Sequence, residues 1–205
     1  MRTRWIDGRA KRCIDVVVGS SVLVLTSPLL LVAAGAVRVR LGSPVLIRQQ
    51  RAGRDGRPIL VPKLRSMSND RDRQGRLLPD DQRTTRFGRV LRASSLDELP
   101  QLWSVVVGDM SLAGPRPLPM EYVPRYGPVH AQRLTVRPGV TGWAQVHGRN
   151  AMSWRERLDF DVWYVEHASF RVDLQILWRT FGTVFRRRGV SAVGHVTMPE
   201  FLGEE

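Results

Sequence analysis

The stretch Val16-Val17-Val18-Gly19-Ser20-Ser21-Val22-Leu23-Val24-Leu25-Thr26-Ser27-Pro28-Leu29-Leu30-Leu31-Val32-Ala33-Ala34-Gly35-Ala36-Val37 carries no charge. At roughly 22 residues it is long enough, as a helix, to cross the hydrocarbon core of a bilayer. Arg2, Arg4, Arg9, Lys11 and Arg12 precede it, and Arg38, Arg40, Arg48, Arg51 and Arg54 follow. A cleaved signal sequence fits poorly: the run is too long, and arginines stand where a cleavage zone belongs. Pro28, after Ser27, lies near the middle, where it removes one helical hydrogen bond and bends the axis. Cations on both flanks favour a cytoplasmic location for both ends. A helix that enters, breaks at Ser27-Pro28 and returns to the same face satisfies both constraints, with the Ser27 hydroxyl helping to satisfy the freed backbone. A kinked span is the alternative.

The rest of the chain reads as one cytoplasmic domain. The predicted division is 1–40, a basic segment and re-entrant membrane helix, and 41–205, a catalytic domain. Pro44 to Gln49 and Ile59 to Leu64 read as two short strands around a turn at Arg51–Arg57, a small hairpin. Residues 68–83 are polar and turn-rich, a surface loop. A helical piece from Phe87 leads to Ser94-Ser95-Leu96-Asp97-Glu98-Leu99-Pro100-Gln101-Leu102. There Ser95 and Glu98 have capping-box spacing, and helix is expected from Leu96 to about Val107, ending at Gly108. Further helices are expected around Pro119–Tyr126 and Val129–Leu134, and from Ser153 to about Glu166. The segment Arg137–Asn150 reads as a structured loop crossing the domain surface. The last long helix spans Phe170–Arg188. Its Phe170, Leu174, Leu177, Trp178, Phe181 and Phe185 share one face, which fits a core stripe or a membrane interface equally well. The fold class is thus α+β, mostly helical: a re-entrant membrane hairpin plus a small globular domain with a short β-hairpin and interfacial amphipathic helices.

Charge narrows the partners. The 205 residues hold 32 Lys+Arg against 19 Asp+Glu, a formal net charge of +13. That excess calls for an anionic partner, and arginine's planar fork suits phosphate oxygens. A nucleic-acid binder would need a helix-turn-helix or an aromatic stacking platform, and neither is visible. One cysteine and four histidines, with no HExxH, exclude a disulfide framework and argue against a zinc enzyme. Asp97 and Glu98 would sit in the first turn of a helix, where negative charge is favoured whatever its use. Their setting points further: Arg86, Arg89 and Arg92 come just before, and Gly114-Pro115-Arg116-Pro117 follows. Prolines on both sides present Arg116 from a stiff loop. Arg137 and Arg149 are further phosphate candidates. Acids among this many cations suit a site that handles phosphate and metal.

Several stretches, taken in order, match one family. They are the apolar segment with Ser27-Pro28, Lys63-Leu64-Arg65-Ser66-Met67, Leu96-Asp97-Glu98-Leu99-Pro100-Gln101, Gly108-Asp109-Met110-Ser111, Gly114-Pro115-Arg116-Pro117, Arg137-Pro138-Gly139-Val140-Thr141-Gly142-Trp143 and Gly148-Arg149-Asn150. From about Lys11 to His195 the chain resembles the bacterial sugar transferases, the monotopic phosphoglycosyl transferases, in their small form. The resemblance implies transfer of a phosphosugar from a UDP-sugar to polyprenyl (undecaprenyl) phosphate, with release of UMP. It implies Asp97 as nucleophile, forming a covalent aspartyl-phosphosugar, and Glu98 as its dyad partner, the two helping to hold Mg²⁺. Arg116 is implied to bind phosphate, with Lys63 and Arg92 as further such positions and Asp173 in a similar context. It also implies the bacterial inner membrane, a catalytic domain in the cytoplasm, contact with one leaflet, and no nucleic acid; a homo-oligomer is admitted. A non-catalytic membrane scaffold and another lipid-phosphate enzyme are the competing readings.

Overall fold

The computed structural model of the chain describes residues 5–148, 152–185 and 200–203. The apolar stretch lies within one helix, α1 (Arg9–Leu41), 33 residues long with Pro28 inside it. Proline offers no N–H to the carbonyl four residues earlier, Val24. The Ser27 hydroxyl donates to that carbonyl at 2.8 Å, so the expected local repair is present. Thr26 makes a similar bond to the Val22 carbonyl at 2.7 Å.

The helix packs on the rest of the chain on both sides of Pro28. Lys11, Asp15, Gly19, Ala33 and Val37 are buried at helical spacing, and Val22, Leu23, Leu30 and Ala34 continue the stripe. The N-terminal half meets Leu102, Val105, Met110 and Leu112, while the C-terminal half meets Leu64 and Leu91. Val24, Leu25, Leu31 and Val32 stay exposed. Both ends are pinned. Near the start, Lys11 pairs with Asp173 at 2.6 Å, and Asp15 accepts the Ser111 hydroxyl at 2.8 Å. At the far end, buried Arg65 donates to the carbonyls of Ser43 and Leu41.

Strands β1 (Leu46–Ala52) and β2 (Pro58–Leu64) form the expected antiparallel hairpin, with Leu46 opposite Leu64 and Ala52 opposite Pro58. After a surface stretch ending in α2 (Asp80–Arg83), α3 (Arg86–Ala93) starts at Thr85, whose hydroxyl accepts the Gly88 N–H. A 3-10 turn (Leu96–Gln101) runs straight into α4 (Leu102–Val107), and Gly108, at φ 104°, ends it as expected.

The region after α4 departs from the sequence reading. Strand β3 (Ser111–Ala113) pairs in parallel with β4 (Gly139–Thr141), and α5 (Trp143–His147) follows. Much of Arg137–Asn150 is therefore regular structure rather than loop. Pieces of three to five residues are too short to show a period; main-chain bonds hold them instead. Gly114 N–H donates to Thr141 and Gly139 N–H to Pro115, each at 2.9 Å. A Cβ on Gly139 would stand 2.1 Å from the Gly114 nitrogen, so only glycine permits this approach. The two helices expected next are 3-10 segments, Met120–Arg125, with Pro124 inside, and His130–Thr135.

Helix α6 (Trp154–His167) opens on a complete capping box, Ser153 with Glu156. In α7 (Phe170–Phe185), Asp173 and Ile176 face inward, whereas Phe170, Leu174, Trp178 and Phe181 are exposed. The aromatic stripe is therefore not core. Arg186, Arg187 and Arg188 lie outside the described residues.

Candidate active site

The site forms where α3 hands over to the 3-10 turn. Ser95, between them, sits in the left-handed region at φ 57° and ψ 13°. That conformation costs a non-glycine residue roughly 1–2 kcal/mol, and it swings the chain so that Asp97 faces inward. The capping box expected between Ser95 and Glu98 is not made: the Ser95 side chain caps nothing. The main-chain donors a capping box would use are taken, Ser95 N–H by the Arg92 carbonyl at 3.0 Å and Glu98 N–H by the Ser95 carbonyl at 3.2 Å. The Glu98 carboxylate turns to Arg116.

Asp97 is 1% exposed. Its Oδ2 lies 2.8 Å from Lys63 Nζ on β2, an ion-pair distance, but without the alignment of a formed hydrogen bond. Glu98 takes a two-pronged contact from Arg116, Nη1 to Oε2 at 3.2 Å and Nη2 to Oε1, and lies 3.5 Å from Lys63. Lys63 thus bridges the two acids. From α3, Arg92 donates Nε to Ser66 at 2.9 Å, and its charge acts on Asp97.

The two neighbouring carboxyls have opposite proton affinities. Burial raises the Asp97 pKa above the usual carboxylate value; Lys63 opposes this and the Glu98 charge adds to it. Burial would raise Glu98 as well, but Arg116 and then Lys63 outweigh it and hold Glu98 at about 2. Glu98 in turn raises Arg116. Two more arginines feel this cluster. Burial and then Arg116 lower Arg51 on β1, and the same two causes bring Arg157 on α6 down to about 10.

Asp97, Glu98, Lys63, Arg92 and Arg116 are therefore gathered in one place. Arg137 is not with them: its Nε donates to the Gly108 carbonyl at 2.9 Å, and it lines a small cavity with Lys11, Arg12 and Arg54. Asp173 belongs to a separate buried cluster, taking Lys11 and Trp5 on Oδ2 and Tyr164 on Oδ1. Arg149 lies outside the described residues. Arg51, Arg157 and the buried pair of Arg133 with Asp161 were not singled out from sequence; an Arg157-to-Asp161 spacing of four on a helix was the only signal.

Chemically, a buried carboxylate with an unaligned oxygen beside fixed cations can attack an electrophile while its neighbours hold anions. Among the described residues there is no group of three or more His, Cys, Asp or Glu that could hold a metal ion. A divalent cation here would need Asp97, Glu98 and oxygens from a bound phosphate. That donor set suits Mg²⁺, which commonly takes one or two carboxylates plus substrate phosphates.

Similarity to known proteins extends over most of the chain. The family model described as bacterial sugar transferase matches residues 6–187. A Bacillus subtilis protein named as an uncharacterized sugar transferase, EpsL, is 46% identical, covering 94% of this chain and 96% of its own length. The UDP-glucose:undecaprenyl-phosphate glucose-1-phosphate transferase of Klebsiella pneumoniae is 40% identical over 86% of this chain, which spans only 39% of that protein. An Aeromonas hydrophila protein named for N-acetylgalactosaminephosphotransferase activity on undecaprenyl phosphate is 36% identical over 85% of this chain and 43% of its own. A family match over most of its length and relatives of 36–46% identity place this chain in the bacterial sugar transferase family.

Proposed function

We propose that the protein transfers a phosphosugar from a UDP-sugar to polyprenyl phosphate in two steps, with Asp97 as the covalent carrier. The observation that carries this reading is the buried Asp97 carboxylate, held 2.8 Å from Lys63 beside the Glu98–Arg116 pair. A carboxylate is a weak nucleophile and a diphosphate repels it, so the site must neutralise the donor before attack. Arg116, Lys63 and Arg92 supply fixed positive charge in a partly desolvated setting, where it counts for more than in water. Asp97 and Glu98 would hold Mg²⁺ together with the donor phosphates; when bound, it screens the diphosphate and stabilises the leaving UMP.

In the first step an Asp97 carboxylate oxygen attacks the sugar-linked phosphorus. The bond from that phosphorus to the oxygen bridging to UMP breaks, and UMP leaves with that oxygen. In the second step a phosphate oxygen of the polyprenyl phosphate attacks the same phosphorus and Asp97 leaves as free carboxylate. The product is a polyprenyl-diphosphosugar. Splitting the reaction lets a soluble donor and a lipid acceptor use one site in turn.

The packing of α1 supports a monotopic membrane arrangement. Its two ends are tied to one body through buried charged groups, Lys11 and Asp15 at one and Arg65 at the other. A straight crossing by a helix of about 50 Å would drag that body, with its cations, through the bilayer. Entry and return at Ser27-Pro28 on the cytoplasmic face of the inner membrane avoids this. The exposed stripe of α7, with Trp5 edge-on to Phe170 at 5.7 Å, then lies in the headgroup boundary. The test is a turnover assay of the full chain in nanodiscs with Mg²⁺, undecaprenyl phosphate and several UDP-sugars. The expected result is sustained UMP release and a lipid-linked sugar only with both substrates, and no more than one equivalent of UMP per protein from the UDP-sugar alone. Turnover of the lipid phosphate without any UDP-sugar would favour a phosphatase or kinase instead.

A further inference from the structure

We propose that the buried Arg133–Asp161 pair is a positioning device for Arg116, the group that grips Glu98. The inference rests on the active-site reading above. Arg133 and Asp161 are 3% and 1% exposed. Arg133 Nε and Nη2 donate to Asp161 Oδ2 at 3.0 and 2.8 Å, and Nη1 donates to the Tyr126 hydroxyl at 3.2 Å. Nη2 also leaves the pair: it donates to the main-chain carbonyl of Arg116 at 2.7 Å.

That last contact is the informative one. A buried ion pair is a poor source of stability, since apolar side chains of similar volume often serve as well. Here the pair's spare donor reaches the centre of the Pro115-Arg116-Pro117 loop. Prolines donate no N–H, so the loop can be held only through its carbonyls and its one arginine N–H. Gly139 N–H holds the Pro115 carbonyl at 2.9 Å, and Ala52 N–H holds the Leu118 carbonyl at 2.8 Å. Between them, at the residue whose guanidinium binds Glu98, the holding group is the Arg133 side chain. A relay therefore runs from α6 through Asp161 and Arg133 to the Arg116 backbone, and along its side chain to Glu98. His130 and Asp159, 2.7 Å apart, join the same two elements close by.

The relay is tested in nanodisc-embedded full-length protein by UMP release and by thermal unfolding. R133K keeps a charge for Asp161 but loses the planar fork that reaches Arg116. It should lower kcat by about tenfold or more, since an ångström of misplacement can cost about a hundredfold. In an R116A background, read by single-turnover measurement, the same change should have no further effect. An equal loss in both backgrounds means a general structural role and overturns the proposal, as does R133K at full rate. R133M/D161L guards against misfolding: it should unfold near the wild-type temperature yet lose rate like R133K, and a full rate overturns the relay. If R116A itself turns over normally, the active-site reading has failed. If R116A is impaired while R133K is normal, only the relay has failed.

Discussion

Lys63 with Asp97, and Lys11 with Asp173, are both lysine–aspartate pairs with little solvent access, at 2.8 and 2.6 Å. They differ in what surrounds them. At Asp173 both carboxylate oxygens have aligned donors: Lys11 and Trp5 on one, Tyr164 on the other. Each lysine also faces a second acid, Asp15 at 3.8 Å and Glu98 at 3.5 Å, but at Asp97 the lysine is close and misaligned. A saturated pair is cement, since any displacement breaks several bonds together. An unsaturated one can exchange partners, which a nucleophile that must take and release a phosphoryl group has to do. Residue type and burial alone would not separate the two; the partner geometry does.

The sharpest way to break this contrast is D97N against D173N. In D97N turnover should fall by a factor on the order of 10⁴ or more, as when a nucleophile is removed. Its stability at neutral pH should rise. An acid whose pKa is raised on folding costs stability as pH climbs through that folded value, and the amide removes this cost. D173N should do the reverse. Breaking a buried pair costs roughly 3–5 kcal/mol, so unfolding temperature should drop sharply while the folded fraction keeps its KM. A D173N protein of normal stability with a raised KM would place Asp173 in substrate binding and erase the contrast.

Next in size is R116A, expected to lower kcat/KM by about a hundredfold or more through loss of a fixed donor. The pH profile sharpens the same point. The acid limb of the rate should follow Asp97 and lie above the ordinary aspartate value, with Glu98 ionised down to about 2. Glu98 has the opposite linkage. Its depressed pKa contributes stability above the ordinary Glu value, lost as pH falls from there toward about 2, and E98Q should lack that acid-dependent loss. The smallest effect is expected at Ser27: S27A, which leaves the Val24 carbonyl unserved, should cost about 1 kcal/mol in unfolding free energy.

Much of this is legible in the sequence. The apolar run, the hairpin at Leu46–Leu64 and the helices after Ser153 and Phe170 each carry a period or a cap that sequence displays. Lys63, Arg92, Asp97, Glu98 and Arg116 could be named from ordered motifs. What escaped was set by tertiary contact. The β3–β4 pairing is three residues wide and rests on glycines whose approach is decided by another loop. Ser95 and Glu98 have the spacing of a capping box, but Ser95 turns left-handed, both main-chain donors find carbonyls, and a guanidinium eighteen residues away holds the Glu98 carboxylate. Arg133 reads as one arginine among many, because its role depends on a carbonyl that no spacing reveals. Asp173 shows the converse: a motif located it, and only its three partners show where its bonds go.

The most direct test is mass spectrometry of the purified protein incubated with Mg²⁺ and a panel of UDP-sugars, with no lipid acceptor. A mass gain equal to one phosphosugar, absent in D97N and lost when polyprenyl phosphate is added, is the expected result. No adduct with any donor, alongside product formation once polyprenyl phosphate is present, would mean direct transfer through a ternary complex and would contradict the covalent role of Asp97.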